Sequence, residues 1–104
     1  MMLVLMMLAM AGPSPQTLDA PRRNFSGCIR GFETQSQTAK MDQAAYAVAI
    51  KGACPAESAA LERALVAYDV AMGTKRAVAT TNAQSDLADY RTTSQERYRD
   101  NQPH

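Results

Sequence analysis

The longest regular pattern of apolar positions in the chain runs from Leu61 to Tyr98. Leu61, Leu65, Tyr68 and Met72 follow a 4, 3, 4 spacing, and the rhythm continues through Ala79, Ala83, Leu87, Tyr90, Ser94 and Tyr98. This spacing puts the residues on one stripe of an α-helix, in the manner of the a/d seam of a coiled coil. Pro55 suits a first helical turn, where its missing N–H costs nothing, and Glu57 adds negative charge where the helix dipole favours it. The stripe is rich in large side chains up to Met72 and poor after it, with Gly73 at the transition. A glycine inside a helix costs about 1 kcal/mol relative to alanine. The pattern therefore admits one long helix from Pro55 to about Asp100 with a weak middle, or two helices broken near 73 to 84. The single long helix is the preferred reading.

Upstream, Phe25 to Ala53 is helix-compatible, without strand-like alternation or internal repeat. Asp42 is a suitable N-cap for a helix over Gln43 to Ile50. On that segment Met41, Ala44, Ala45, Val48 and Ala49 share a face, flanked by Tyr46 and Ile50, and Gly52 supplies a stop. Gly12 to Asn24, with Pro13, Pro15 and Pro21 among Ser, Gln and Thr, reads as a flexible lead-in. Residues 101–104 read as a frayed tail. The single helical domain is thus predicted over 25–100.

Met1 to Ala11 is apolar without interruption. It falls well short of the roughly 20 residues that span a bilayer and matches the apolar core of an export signal, about 7 to 15 residues. Ala9 and Ala11 supply small residues for cleavage, so residues 1–11 are predicted to be a signal peptide. The first Lys or Arg is Arg22, leaving the terminal amine as the only positive charge ahead of the apolar run. An uncleaved segment anchoring the protein to a membrane is the alternative. Lipidation at Cys28 is disfavoured, because Arg22, Arg23 and Asn24 separate the apolar core from the cysteine.

An export signal changes what the two cysteines mean, since disulfides persist in oxidising compartments. Cys28 and Cys54 lie 26 residues apart. Along one straight helix that is about 39 Å, whereas a disulfide needs Cα atoms within about 7 Å. A bond between them requires the chain to reverse near its midpoint, around Thr38 to Asp42. The expected fold is therefore all-α: a short antiparallel helical hairpin tied by one disulfide to a long C-terminal helix. Closing such a loop contributes roughly 3.5 kcal/mol in the chain-entropy model.

Removing 11 of the 104 residues leaves 93, one small domain, with Ala abundant and Trp absent. A core of this size has little stability to spare and calls for a staple or a partner. The net charge of +1 provides no field to steer nucleic acid or an anionic membrane. Tyr90-Arg91 and Tyr98-Arg99 suggest base stacking, but Arg91, Arg97 and Arg99 are outnumbered by Asp86, Asp89, Glu96 and Asp100. A phosphate-binding face is not acidic. His104 is the only histidine, so neither a Ser-His or Cys-His pair nor a four-ligand zinc site can be assembled. No Walker loop, GxSxG, HExxH or GxGxxG occurs. No cofactor, metal or catalytic residue is expected. Gly27 and Gly31 match a helix close-packing motif, and Asn24-Phe25-Ser26 is a glycosylation sequon by pattern.

The runs Cys28-Ile29-Arg30-Gly31-Phe32, Ala53-Cys54, Ala64-Leu65-Val66-Ala67-Tyr68-Asp69 and Lys75-Arg76 resemble those of short uncharacterised secreted proteins of α-proteobacteria. The resemblance covers most of the mature chain. It implies a periplasmic address and a helical fold, and carries no activity or site residues.

The function expected from these features is a non-enzymatic interaction or scaffold role. A helix of about 46 residues would reach near 69 Å, whereas hairpin arms of about 12 residues each cover near 18 Å. The seam of Leu61, Leu65, Tyr68, Met72, Leu87 and Tyr90 would then need a partner protein or second copy, a fold-back after Gly73, or tolerance of an Ala-poor face. An envelope-stress or chaperone-like role would use the same surface transiently.

Overall fold

The structure, a computed structural model, describes residues 14–102. The predicted signal at 1–11 and the end of the predicted tail lie outside the described residues. Within them the chain is all-α: a 3-10 turn at Pro15–Leu18, then α1 (Asp19–Thr38), α2 (Gln43–Ala49), a second 3-10 turn (Ile50–Gly52), α3 (Pro55–Ala71) and α4 (Arg76–Asp100). Helices α1, α3 and α4 pack side by side, and α2 lies against the C-terminal part of α4.

The described part of the predicted lead-in, residues 14–24, is helical from Pro15 onward, and Leu18 is buried in the core. The prolines that suggested a linker stand where a helix start accepts them. Pro15 opens the 3-10 turn, and Pro21 falls within the first turn of α1, whose N–H groups have no helical partner in any case. Asp19 adds favourable charge in that turn.

The reversal between the cysteines occurs at Ala39 to Asp42, as their spacing requires. The N–H of Met41 donates to the Ser36 carbonyl at 3.0 Å and that of Lys40 to the Gln37 carbonyl at 3.0 Å, which together make a Schellman turn. Lys40 holds the left-handed position of this turn with φ 57°. Asp42 then caps α2, its Oδ1 accepting from the Ala45 N–H at 2.8 Å. The Sγ atoms of Cys28 and Cys54 are bonded at 2.06 Å, with Cα atoms 6.1 Å apart.

The face predicted for α2 is corrected. Tyr46 and Ile50 are fully enclosed, while Ala44, Ala45 and Val48 point outward. Burying an aromatic ring and an isoleucine removes more apolar surface from water than burying alanines, and that difference decides which side turns inward.

The single long helix is also corrected. The chain folds back at Met72 to Lys75 through a second Schellman turn, in which the Thr74 N–H donates to the Asp69 carbonyl at 2.9 Å and the Gly73 N–H to the Val70 carbonyl at 3.0 Å. Gly73 sits at φ 102°, a conformation other residues rarely adopt. It is a helix terminator, not a weak point within a helix. The apolar rhythm nevertheless holds across the break: Leu61 and Leu65 of α3 and Ala79, Ala83, Leu87, Ser94 and Tyr98 of α4 are all buried. Alanines on the first half of α4 let it lie close against α3, where larger side chains would hold the helices apart.

The two Schellman turns give opposite expectations. Gly73→Ala should lower unfolding free energy by about 1 kcal/mol, because it puts a Cβ at positive φ. Lys40→Gly should raise it by up to about 1 kcal/mol, the relief of left-handed strain exceeding the entropy glycine adds to the unfolded chain. Urea denaturation of the two variants checks both signs.

Candidate functional site

Arg91 organises the corner that carries the disulfide. Its Nη1 donates to the carbonyls of Ile50 at 3.0 Å and Ala53 at 2.9 Å, and its guanidinium lies 5.2 Å from the centre of the Phe25 ring. Burial lowers its proton affinity from the ordinary guanidinium value. One side chain of α4 thus fixes the turn ahead of Cys54 and bridges to α1. Cys54 is buried and adopts left-handed φ 58°, ψ 50° just before Pro55. Such a conformation is costly for a non-glycine residue and persists where neighbours determine it. Here those neighbours are the bond to Cys28 and the Arg91 contacts. Glu57, in the first turn of α3, brings a carboxylate oxygen within 4.8 Å of both sulfurs.

A second polar group fills the core between α1, α2 and α4. Ser94 Oγ donates to Glu33 Oε2 at 2.7 Å, so at its 2.7 Å contact with Tyr46 Oη it acts as the acceptor. The other side of the Glu33 carboxylate receives Arg97, with Nε at 3.2 Å from Oε1 and Nη2 on Oε2. The rings of Tyr46 and Tyr98 stack with centroids 3.8 Å apart and planes 1° from parallel. Tyr98 Oη reaches the carbonyls of Ser36, at 3.1 Å, and Met41. Among the described residues, every buried side-chain nitrogen and oxygen has a partner.

Burial by itself would raise the proton affinity of Glu33. The hydrogen bonds from Arg97 and Ser94 and the charges of Arg97 and Arg30 overcome it and hold the carboxyl below its ordinary range. Arg97 is correspondingly raised by Glu33. Tyr46 is raised, chiefly because its phenolate would be buried. Chemically this is a charge held in one state. Ser94 is fully enclosed and bonded to the carboxylate, with no room for a substrate atom beside it.

Two surface hollows accompany these clusters. One, of about 360 Å³, lies between α1 and α4 and includes Arg22, Ser26, Asp86, Asp89 and Tyr90 in its lining. Its charges are largely matched within it, Arg22 Nη1 standing 3.3 Å from both Asp86 Oδ2 and Tyr90 Oη. The other, of about 570 Å³, runs between α3 and α4 near their turn and is lined by Glu62, Val66, Val70, Ala71, Arg76 and Thr80 among others.

The seam read from the sequence is mostly interior. Leu61, Leu65 and Leu87 are buried in the chain's own core, and Tyr68 and Tyr90 pack against it. Tyr90 meets Phe25 edge-on at 5.3 Å between ring centres. Met72 alone of the six is strongly exposed, at 64 %. Of the alternatives for covering the seam, it is the fold-back at Gly73 that does so. Tyr98 is likewise enclosed and Tyr90 half-buried, which removes the suggested base-stacking surface. Gly27 and Gly31 are exposed, and a Cβ at either would touch nothing, so no helix packs closely on them. Asn24 is exposed, but Phe25 of its sequon is core. Sequence reasoning did not single out Glu33, Ser36, Tyr46, Arg91 or Arg97 for these roles. The available signal was Glu33 itself, a carboxylate one helical turn past Ile29 on an otherwise apolar stripe. No protein-family model matches the chain, and no curated protein or solved structure matches it either.

Ser94→Ala strands Tyr46 Oη and removes one of the two donors on Glu33 Oε2, and should cost about 1–3 kcal/mol. Tyr46→Phe leaves the Ser94–Glu33 bond intact and should cost about 0.5–1.5 kcal/mol. Reversal of that order in denaturant melts would contradict the donor directions given above. Because Glu33 is depressed in the folded state, its contribution is fully present above the ordinary glutamate value, about pH 4.3, and is lost as pH falls from there through the depressed value. Glu33→Gln should therefore lower stability at neutral pH and flatten the loss of stability in that acidic window, as followed by thermal melts across pH.

Proposed function

We propose that the chain is a small, non-enzymatic interaction protein of an oxidising extracytoplasmic compartment, the periplasm in a bacterium, and that it works by self-association through the α3–α4 groove. The compartment rests on the signal-like Met1–Ala11 run, on the disulfide, and on the resemblance to short secreted proteins of α-proteobacteria. Among the described residues no helix is long and apolar enough to cross a membrane. The non-enzymatic reading is supported by the way the buried hydroxyl and carboxylate, Ser94 and Glu33, are bonded to each other and not aimed into a cavity.

The observation that carries the interaction reading is the character of the α3–α4 end. The groove is lined by valine and alanine, and its Ala67 and Ala71 are open to solvent. An open apolar groove of this kind marks an association surface. A second copy fits its charges. Glu62 stands on one wall and Arg76 on the other, so a two-fold operation can set Glu62 of one copy against Arg76 of the next, twice.

Sedimentation at tens of micromolar should show a dimer for the natural sequence. A monomer should result from Ala67→Glu combined with Ala71→Glu, which charge the groove itself, with the helical circular dichroism unchanged because both positions are exposed. A natural chain that stays monomeric under these conditions sinks the self-association reading.

A further inference from the structure

The disulfide corner contains a donor set that the bond conceals. The sulfurs of Cys28 and Cys54 and a carboxylate oxygen of Glu57 lie within 4.8 Å of one another. Cys28 is on α1, while Cys54 and Glu57 are the cap and the first turn of α3. These three donors come from two elements whose relative placement does not depend on the S–S bond alone. Arg91 holds the Ile50 and Ala53 carbonyls from α4, and Leu61, Phe25 and Ile29 are buried around the corner. Cutting the bond leaves the Arg91 hydrogen bonds and the buried packing of Phe25, Ile29 and Leu61 in place. The corner should therefore outlast the bond.

We propose that reduction converts the Cys28–Cys54 disulfide into a divalent metal site with Cys28, Cys54 and Glu57 as ligands. The metal is of the zinc class, bound by two thiolates and one carboxylate with a fourth position open. Two thiolates select a borderline-soft ion over magnesium or calcium. Three protein ligands with an open position is the arrangement of reactive, not purely structural, zinc sites. The Cα separation of 6.1 Å lets the two sulfurs move apart by side-chain rotation and flank one ion without displacing the backbone. Cys54 stands at the positive end of the α3 dipole, which favours the thiolate a metal requires.

The chemistry balances in two steps. A protein dithiol reduces the bond: the S–S bond breaks, Cys28 and Cys54 each gain one electron and one proton, and the dithiol becomes a disulfide. A hydrated divalent ion then binds. Two S–H bonds are lost, two metal–sulfur bonds and one metal–oxygen bond form, and two protons are released with the displaced water.

The test uses the full chain reduced with a water-soluble phosphine, which breaks the disulfide as the phosphine takes up oxygen from water. Cobalt(II) and zinc(II) are the probes, read by thiolate-to-cobalt charge-transfer absorption and by titration calorimetry. The reduced protein should keep its helical circular dichroism and bind one ion per chain, and the oxidised protein should bind none. Cys28→Ser should abolish the charge-transfer band. Glu57→Gln should weaken binding by at least about tenfold, since even an outer-shell partner of a metal is worth 10- to 100-fold, while the oxidised protein stays folded and loses only the small helix-dipole contribution of that charge. Affinity unchanged in Glu57→Gln, one ion shared by two chains, no binding by the folded reduced protein, or unfolding on reduction would each overturn the assignment.

Discussion

The backbone at Cys54 is the constraint on which the arrangement of helices rests. A residue with a Cβ is held in the left-handed region immediately before a proline. From that point α3 leaves in a direction that lets it lie beside α1, and α4 can then return along both. Three features keep the corner in place: the bond to Cys28, the Arg91 contacts to the preceding carbonyls, and the proline that opens α3. None acts alone. Arg91 reaches the corner only when α4 is docked, and α4 docks on a surface that the corner has positioned.

The core answers the same problem from the other end. A chain without Trp, with alanine at many helical positions, has few large side chains to bury. It compensates by enclosing Tyr46 and Tyr98 as a stacked pair and by supplying the hydroxyls and carboxylate beside them with partners from three helices. A buried carboxylate without Arg97 and Ser94 would be strongly unfavourable. With them it specifies one register between α1 and α4, because sliding either helix by a turn would separate Glu33 from both partners.

Much of this was legible in the sequence, and what was missed shares a cause. The stripe from Leu61 to Tyr98 identifies the buried face of α3 and α4 correctly, since 3.6-residue periodicity is a local property. The 26-residue interval between Cys28 and Cys54 places the reversal at 39 to 42, because a bond length limits a path. Asp42 is legible as a cap for the same local reason. Gly73 was read for its cost within a helix, although its positive φ makes it a stop, and propensity alone does not distinguish the two. Pro15 and Pro21 misled because a linker and a helix start accept proline equally well. The pairings of Glu33 with Arg97 and of Arg91 with Ala53 join residues far apart in sequence, where no periodicity reaches. The partner-binding seam was mistaken through the same gap: without the fold-back at Gly73, a buried face and a vacant one look identical.

The placement of Ser94, Arg97 and Tyr98 late in the described chain has a consequence for how the protein comes into being. Synthesis delivers the N-terminal residues first. Until the last turns of α4 arrive, Glu33 lacks its cation, the Tyr46 ring lacks its stacking partner and the turn at Met41 lacks the Tyr98 hydroxyl. A partly emerged chain can form helical segments but cannot close its core. It therefore becomes compact only once nearly all of the described chain has been synthesised.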